Sequence, residues 1–302
     1  MSRIDVRIPA GPTDELDVWL YLPDGPGPHP TVVMAHGITG VKAAGLEPFA
    51  EHFRAHGFAA VVFDYRYWGR STGSPRELLS IKQELADYRT ALAWARRQPQ
   101  LDAERLFVWG TSFAGMHIVE LAADEPGLAG AIAQCPLVDG LAGAVNITPA
   151  RLVRLAALGL IDLVGSKLGR RPRYLPVSVP PGRFGIIATP DATVGLTRLK
   201  PAEDAWPNYV TARSVVDMSL HRPVRRARLA RCPLLMVVAE TDTMAPTGPA
   251  TRVAARAPHG ELYRSRGGHY DVYAGGLDHD NVLEVELAFL RRHARAATRS
   301  TA

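Results

Sequence analysis

The sequence predicts an α/β protein: a doubly wound, mostly parallel sheet interrupted by one long inserted segment. Three observations predict it. Short apolar runs bounded by turn residues alternate with helical patterns. One of these runs passes directly into a small-residue turn that carries a serine, Ser112. The alternation then stops between residues 137 and 231 and resumes afterwards. The expected organisation is one core domain, residues 1–136 and 232–302, with residues 137–231 inserted as a cap, or lid.

The runs expected as parallel strands are Thr31–Ala35, Phe58–Phe63, Arg105–Trp109, Leu128–Gln134, Pro233–Ala239 and Glu261–Tyr263. Ahead of them, Ile4–Ile8 and Leu16–Leu22 alternate polar and apolar residues, the pattern of an antiparallel pair at the N-terminal edge of the sheet. The clearest helix is set by Ile81, Leu85, Tyr88, Leu92 and Ala95, whose spacing lines one helical face. Ser80 and Gln83 suit a capping box at its start, and Pro99 ends it. A C-terminal helix presents Leu283, Leu287 and Leu290 on one side, with Asp278 or Asp280 near its N-cap. Within the insertion, a helical stretch near Arg151–Leu163 gives way to a proline-rich run from Pro172 to Pro190.

Of the 302 residues, 47% are hydrophobic and 22% charged, the balance of an ordinary globular protein able to bury a large core without disulfides or metals. No signal-peptide stretch opens the chain and no window is apolar enough to span a bilayer. A cytoplasmic protein with no membrane partner is expected. Cys135 and Cys232 lack metal-binding spacing, and each precedes a proline; they read as reduced, partly buried thiols. The net charge of +5 raises the question of nucleic acid. The arginines are dispersed, however, and the densest cluster, Arg222 to Arg231, carries no nucleic-acid-binding motif. It reads as the solvated face of a helix ending before Cys232, where cations suit the carbonyl end. Oligomeric state stays open, a homo-oligomer included.

The chemistry begins at Gly110-Thr111-Ser112-Phe113-Ala114-Gly115, which joins the strand at Trp109 to a helix-compatible stretch from Met116 to Ala123. A serine on a tight strand–turn–helix is a nucleophile elbow. Its strain demands small neighbours two positions away, and its hydroxyl then stands clear at the carboxyl edge of the sheet. Ala114 occupies the second small position in place of glycine. The N–H of Phe113 points to the helix N-terminus, where it can meet developing negative charge. After the strand ending at Ala35, His36-Gly37-Ile38 places the N–H of Ile38 where a second oxyanion donor belongs. Asp242, just beyond the strand ending at Ala239, suits a carboxylate that orients a histidine. His269, after the glycine pair Gly267-Gly268, suits the general base. Asp139 is the alternative acid. His36, His259 and His279 read as packing or surface residues, and Asp278-His279-Asp280 as a helix start in place of a metal site. No metal or organic cofactor is implied.

The chain order Ser112, Asp242, His269, with the His36-Gly37 loop, resembles the α/β-hydrolase superfamily over nearly the whole chain outside the insertion. The segment from Phe63 to Gly73 resembles the superfamily's stretch after its fourth strand, a fold marker without catalytic residues. Gly268-His269-Tyr270-Asp271-Val272-Tyr273 resembles the histidine loop of bacterial esterase-like and fungal polyketide-transferase-like members. The resemblance implies a small-molecule ester, thioester or lactone substrate and an acyl-enzyme on Ser112. An acyltransferase or thioesterase with the same triad is the nearest alternative; a C–C hydrolase and a silent binding protein are the others. Trp206 and Tyr209 are the candidate substrate contacts from the insertion, against a reading in which they only anchor it.

Overall fold

The computed structural model describes residues 3–144, 147–199, 201 and 206–299. Strands β1 (Ile4–Pro9) and β2 (Glu15–Tyr21) form the expected antiparallel edge pair. Strands β3 (His29–Ala35), β4 (Ala59–Phe63), β5 (Leu101–Thr111) and β6 (Leu128–Gln134) follow, and β9 (Leu234–Ala239) and β10 (Gly260–Ser265) come after the insertion. They make one eight-stranded sheet in the order β1-β2-β4-β3-β5-β6-β9-β10. All neighbours pair in parallel except at β2, which runs against both β1 and β4. Helices α1 (Glu47–Ala55), α2 (Ile81–Ala95), α3 (Ala114–Asp124), α8 (Thr247–Arg256) and α9 (His279–Arg299) cover the sheet. Two apolar clusters result, one including Tyr88 and Met116 and the other including Phe49 and Phe289. Helices on both faces are what buries the near-continuous apolar runs of β3 and β4.

Of two local expectations, one is extended and one corrected. The α2 stripe packs on the core, with Leu85 half-buried against it, but does not hold the inner side alone: Glu84 and Asp87 are buried there too. Both carboxylates have partners that make burial tolerable: Glu84 Oε2 lies 2.7 Å from His117 Nε2, and Asp87 accepts from the backbone and side chain of Arg66. The capping box does not form. Ser80 makes no side-chain cap bond, the N–H of Ile81 donates instead to Asp217 at 2.9 Å, and Gln83 turns to Arg66.

The insertion is more regular than its proline content suggests. It holds α4 (Gly140–Gly143), α5 (Pro149–Lys167), α6 (Ala192–Leu199) and α7 (Ser214–Leu220), with a small antiparallel sheet of β7 (Tyr174–Pro176) and β8 (Tyr209–Thr211). Three-residue strands are too short for period-two alternation to reveal them. The Arg222–Arg231 stretch forms a 3-10 helix over Pro223–Leu229, where Arg226 pairs with Glu120 and Asp124. The insertion's separate core is small, built on Leu155, Leu175, Ala212 and Val215. It is fastened to the loop before α2 by Thr211 N–H to Glu77 O and Leu79 N–H to Ser214 Oγ.

Candidate active site

Ser112 sits between the end of β5 and the start of α3 with φ +55°, a left-handed conformation that a serine holds only under constraint. Backbone bonds supply the constraint. Ser112 N–H donates to Gln134 O at 2.8 Å, and Ser112 O accepts from Gly115 and Leu137, each at 3.0 Å. Small neighbours are obligatory for the reason the sequence suggests. A Cβ on Gly110 would lie 2.8 Å from Ile118 and 3.0 Å from the Ala114 methyl, and one on Gly115 would overlap Pro136. Glycine is thus required on the strand side and at position 115, which leaves room for the methyl of Ala114.

His269 lies on the loop between β10 and α9. Its Nε2 is 3.0 Å from Ser112 Oγ and its Nδ1 is 2.7 Å from Asp242 Oδ2. Asp242 Oδ1 accepts from the N–H groups of Met244 and Ala245, each at 2.8 Å, which fixes the carboxylate plane. The two loops are tied together by Glu240 N–H to Ser265 O and Thr241 N–H to Gly267 O. Serine, histidine and aspartate come from three loops at the carboxyl edge of the sheet, as the sequence predicts. In this arrangement a histidine can take a proton from the serine while the carboxylate holds the other ring nitrogen. Burial by itself disfavours the imidazolium, but the Asp242 carboxylate outweighs it, assisted by Cys135, and the His269 pKa is raised well above the ordinary value.

The loop after β3 approaches the serine closely. A Cβ on Gly37 would stand 2.9 Å from Ser112 Cβ, so only glycine allows the approach. Among the described residues neither the N–H of Ile38 nor that of Phe113 donates to a protein acceptor, and both residues line the space beside Ser112. Unpaired backbone donors beside a serine are the kind of group that can stabilise a developing oxyanion.

The alternative residues are engaged elsewhere. Asp139 caps α4 through the N–H groups of Leu141 and Ala142 and takes a two-pronged bond from Arg222, both at 2.8 Å. His36 is buried edge-on to Tyr65, bonds Gly37 O, and burial lowers its pKa to about 4. His259 is exposed at the amino end of β10, and His279 bonds Val272 O beneath Phe49. Asp278 binds Tyr263, Arg266 and Asn281 at the start of α9.

Two cavities meet at Ser112. One, of about 90 Å³, is lined by Leu137, Ile147, Leu152, Leu155, Ile186, Val215 and Met218 from the insertion, with Met244 from the loop after β9. The other, of about 40 Å³, is bounded by His269, Tyr270, Tyr273, Thr39 and Trp206. The structure separates the two aromatic candidates. Trp206 Nε1 bonds Thr39 Oγ1 at 3.1 Å at the edge of the smaller cavity. Tyr209 is exposed on β8, stacked edge-on against Tyr174, and lines neither space. The pocket expectation for Tyr209 is therefore corrected: its register in β8 turns it away from the serine.

Four residues around the histidine have contacts that the sequence did not reveal. Cys135 Sγ lies 3.9 Å from His269 Nε2 and 3.5 Å from Thr111 Oγ1, and Thr111 in turn bonds Tyr273 OH at 2.6 Å. Asp271 accepts from Gly268 N–H at 2.8 Å and so shapes the turn that presents His269. The carboxylate two residues after the histidine was the available signal. Nothing in the sequence brings Cys135 to the imidazole.

Comparison with known proteins adds a family name the motifs did not suggest. A model of the X-Pro dipeptidyl-peptidase (S15) family matches residues 11–270. The chain is 37% identical over 294 residues to the quorum-quenching protein AidA of Acinetobacter baumannii, covering 95% of this chain and 96% of that one. It is 26% identical to the polyketide transferase GrgF of a Penicillium species over 97% of each chain. The crystal structure of α/β hydrolase GrgF from Penicillium matches with a TM-score of 0.84, covering 98% of this chain and 100% of that one. The thiohydrolase aneE of Aspergillus aculeatus is 25% identical, with 90% of this chain and 87% of that one covered. The chain belongs to the X-Pro dipeptidyl-peptidase (S15) family and is a hydrolase built on the α/β-hydrolase fold.

Proposed function

We propose that the protein is a serine esterase that cleaves a carboxylic ester, thioester or lactone of a small, moderately hydrophobic molecule through an acyl-enzyme on Ser112. The observation that carries this reading is the unbroken contact chain Ser112–His269–Asp242 opening on an apolar cavity. His269 takes the Ser112 proton as the oxygen attacks the carbonyl carbon. The N–H groups of Ile38 and Phe113 receive the oxyanion. The imidazolium, held by Asp242, then protonates the leaving group. Water enters, His269 takes its proton, and the acid departs with Ser112 restored.

The cavity lining supports an acyl group over a peptide. A dipeptidyl-peptidase must hold a free ammonium terminus, and among the described lining residues of the larger cavity there is no carboxylate. Residues 137–231 act as the cap in this reading, because they supply most of that lining. The free, buried thiols of Cys135 and Cys232 support a cytoplasmic setting. A transferase or thioesterase reading is favoured by the burial of His269, which limits water beside the acyl-enzyme, and by the relatives named polyketide transferase and thiohydrolase.

Purified protein should hydrolyse p-nitrophenyl esters of short and medium acyl chains and leave an X-Pro p-nitroanilide untouched. Turnover of the anilide alone would contradict the assignment. Adding a competing alcohol or thiol separates the two readings: acyl transfer outrunning hydrolysis selects the transferase.

A further inference from the structure

Helix α5 has two faces. Its inner face buries Leu155, Gly159 and Asp162, and Leu152 and Leu155 line the larger cavity. Its outer face is apolar and uncovered: Val153, Leu160, Ile161, Val164 and Leu168 are each more than half exposed. Ala156 and Ala157 lie exposed among them. A surface helix ordinarily shows charged residues there. The charges it does carry are cations at the margins, Arg154 and Lys167, followed by Arg170 and Arg171, all exposed.

The surrounding segment is as one-sided. Residues 137–231 hold fifteen Lys and Arg against six Asp and Glu, a net +9, whereas the rest of the chain carries −4. Two of those acids add nothing to the surface: Asp139 and Asp162 are buried against Arg222 and Arg213.

We propose that the outer face of α5 docks this protein on an anionic lipid surface, with the apolar stripe in the acyl–headgroup boundary and the flanking cations among lipid phosphates. The amphipathic pattern and the sign of the charge both fit that occupant. Long basic side chains at the margins of such a stripe reach outward to the headgroups. A second copy of this chain fits poorly. It would bring two strongly cationic segments together, and the 19-residue helix is about 28 Å long, so one face about 10 Å wide offers roughly 300 Å² against the ~800 Å² per partner of a stable interface. No helix among the described residues is long and apolar enough to cross a membrane, so α5 lies along the surface. That position sets the cavity directly beneath the lipid-facing helix.

The test is flotation of the full chain with phosphatidylcholine vesicles, with and without about 30% phosphatidylglycerol. Binding is expected only with the anionic lipid, and it should fall at least tenfold in about 0.5 M salt. Ile161→Glu/Val164→Glu, at two exposed positions that line neither cavity at Ser112, should abolish flotation while hydrolysis of a water-soluble ester and thermal melting stay near wild type. Ile161→Ser/Val164→Ser gives the same comparison with a gentler change should the glutamates disturb the helix. Absence of flotation in low salt, or equal flotation of wild type and both variants, overturns the proposal. A dimer in light scattering that the variants dissolve, without vesicle binding, assigns the face to a second copy and equally overturns it.

Discussion

The core and the insertion solve different problems with different materials. In the core, backbone bonds tie the ends of β5, β6 and β9 to their neighbours, and the groups at Ser112, Asp242 and His269 are positioned by a buried, close-packed sheet. In the insertion, a few buried side chains hold short elements together, and one helix leaves its apolar side uncovered. The core is slightly acidic and the insertion strongly basic. A rigid edge suits chemistry that tolerates errors of only tenths of an ångström. A thinly packed cover suits a pocket whose shape and surroundings set substrate choice. The comparison predicts that core substitutions at the serine edge act on turnover, and insertion substitutions on preference.

The largest effect should come from Ser112→Ala, with p-nitrophenyl ester turnover falling roughly 10^5- to 10^6-fold and melting temperature almost unchanged. Retained turnover in pure variant protein removes the core from the chemistry. Asp242→Asn comes next, at about 10^3- to 10^4-fold. It should also move the acid limb of the pH–rate profile. Wild-type turnover should rise with pH as His269 deprotonates, and because Asp242 holds the His269 pKa well above its usual value, that limb should lie high. Losing the carboxylate lowers the pKa and shifts the limb to lower pH. Asp139→Asn removes the charge and one prong of the bond to Arg222 and should reduce melting temperature while leaving the limb in place; the reverse pattern would exchange the two aspartates' roles.

On the insertion side, Trp206→Ala should change relative rates across a leaving-group series by roughly tenfold, whereas Tyr209→Ala should change none. A matching shift in Tyr209→Ala would mean that the segment transmits effects from outside the cavity. The smallest effect belongs deep in the core. Glu286 is buried against Trp109 Nε1 at 2.9 Å, and burial pushes its pKa up to about 8. The native state therefore keeps a proton that the unfolded chain gives up above its ordinary carboxylate pKa, and stability falls as pH rises between those values. Glu286→Gln retains the acceptor and removes the titration. Its melting temperature should equal wild type near pH 4 and exceed it by a few degrees near pH 8, as read by scanning fluorimetry.

The sheet and the serine edge were legible because their signals are local. Strand runs such as Leu128–Gln134, the glycine at 110 and the carboxylate after Ala239 each follow from what their own few residues can adopt. The helix starts after Ser80 as expected, but the capping box does not form there, and the first helical N–H, that of Ile81, finds Asp217 more than a hundred residues away. Glu84 and Asp87 are buried beside the hydrophobic stripe because His117 and Arg66 make their burial tolerable, which periodicity does not see. Trp206 and Tyr209 look alike in sequence, and only the pairing of β7 with β8 parts them. The position of Cys135 beside His269 likewise depends on two loops meeting in space.

An acyl-enzyme on Ser112 should place its acyl chain in the space under the insertion. A crystal structure of the protein inactivated by an alkyl fluorophosphonate tests this most directly. Expected are a covalent bond to Ser112 Oγ, the phosphoryl oxygen held by the N–H groups of Ile38 and Phe113, and the alkyl chain between Leu155, Ile186 and Val215. Labelling at another residue, or a chain lying outside that cavity with the oxygen unbonded, would contradict it.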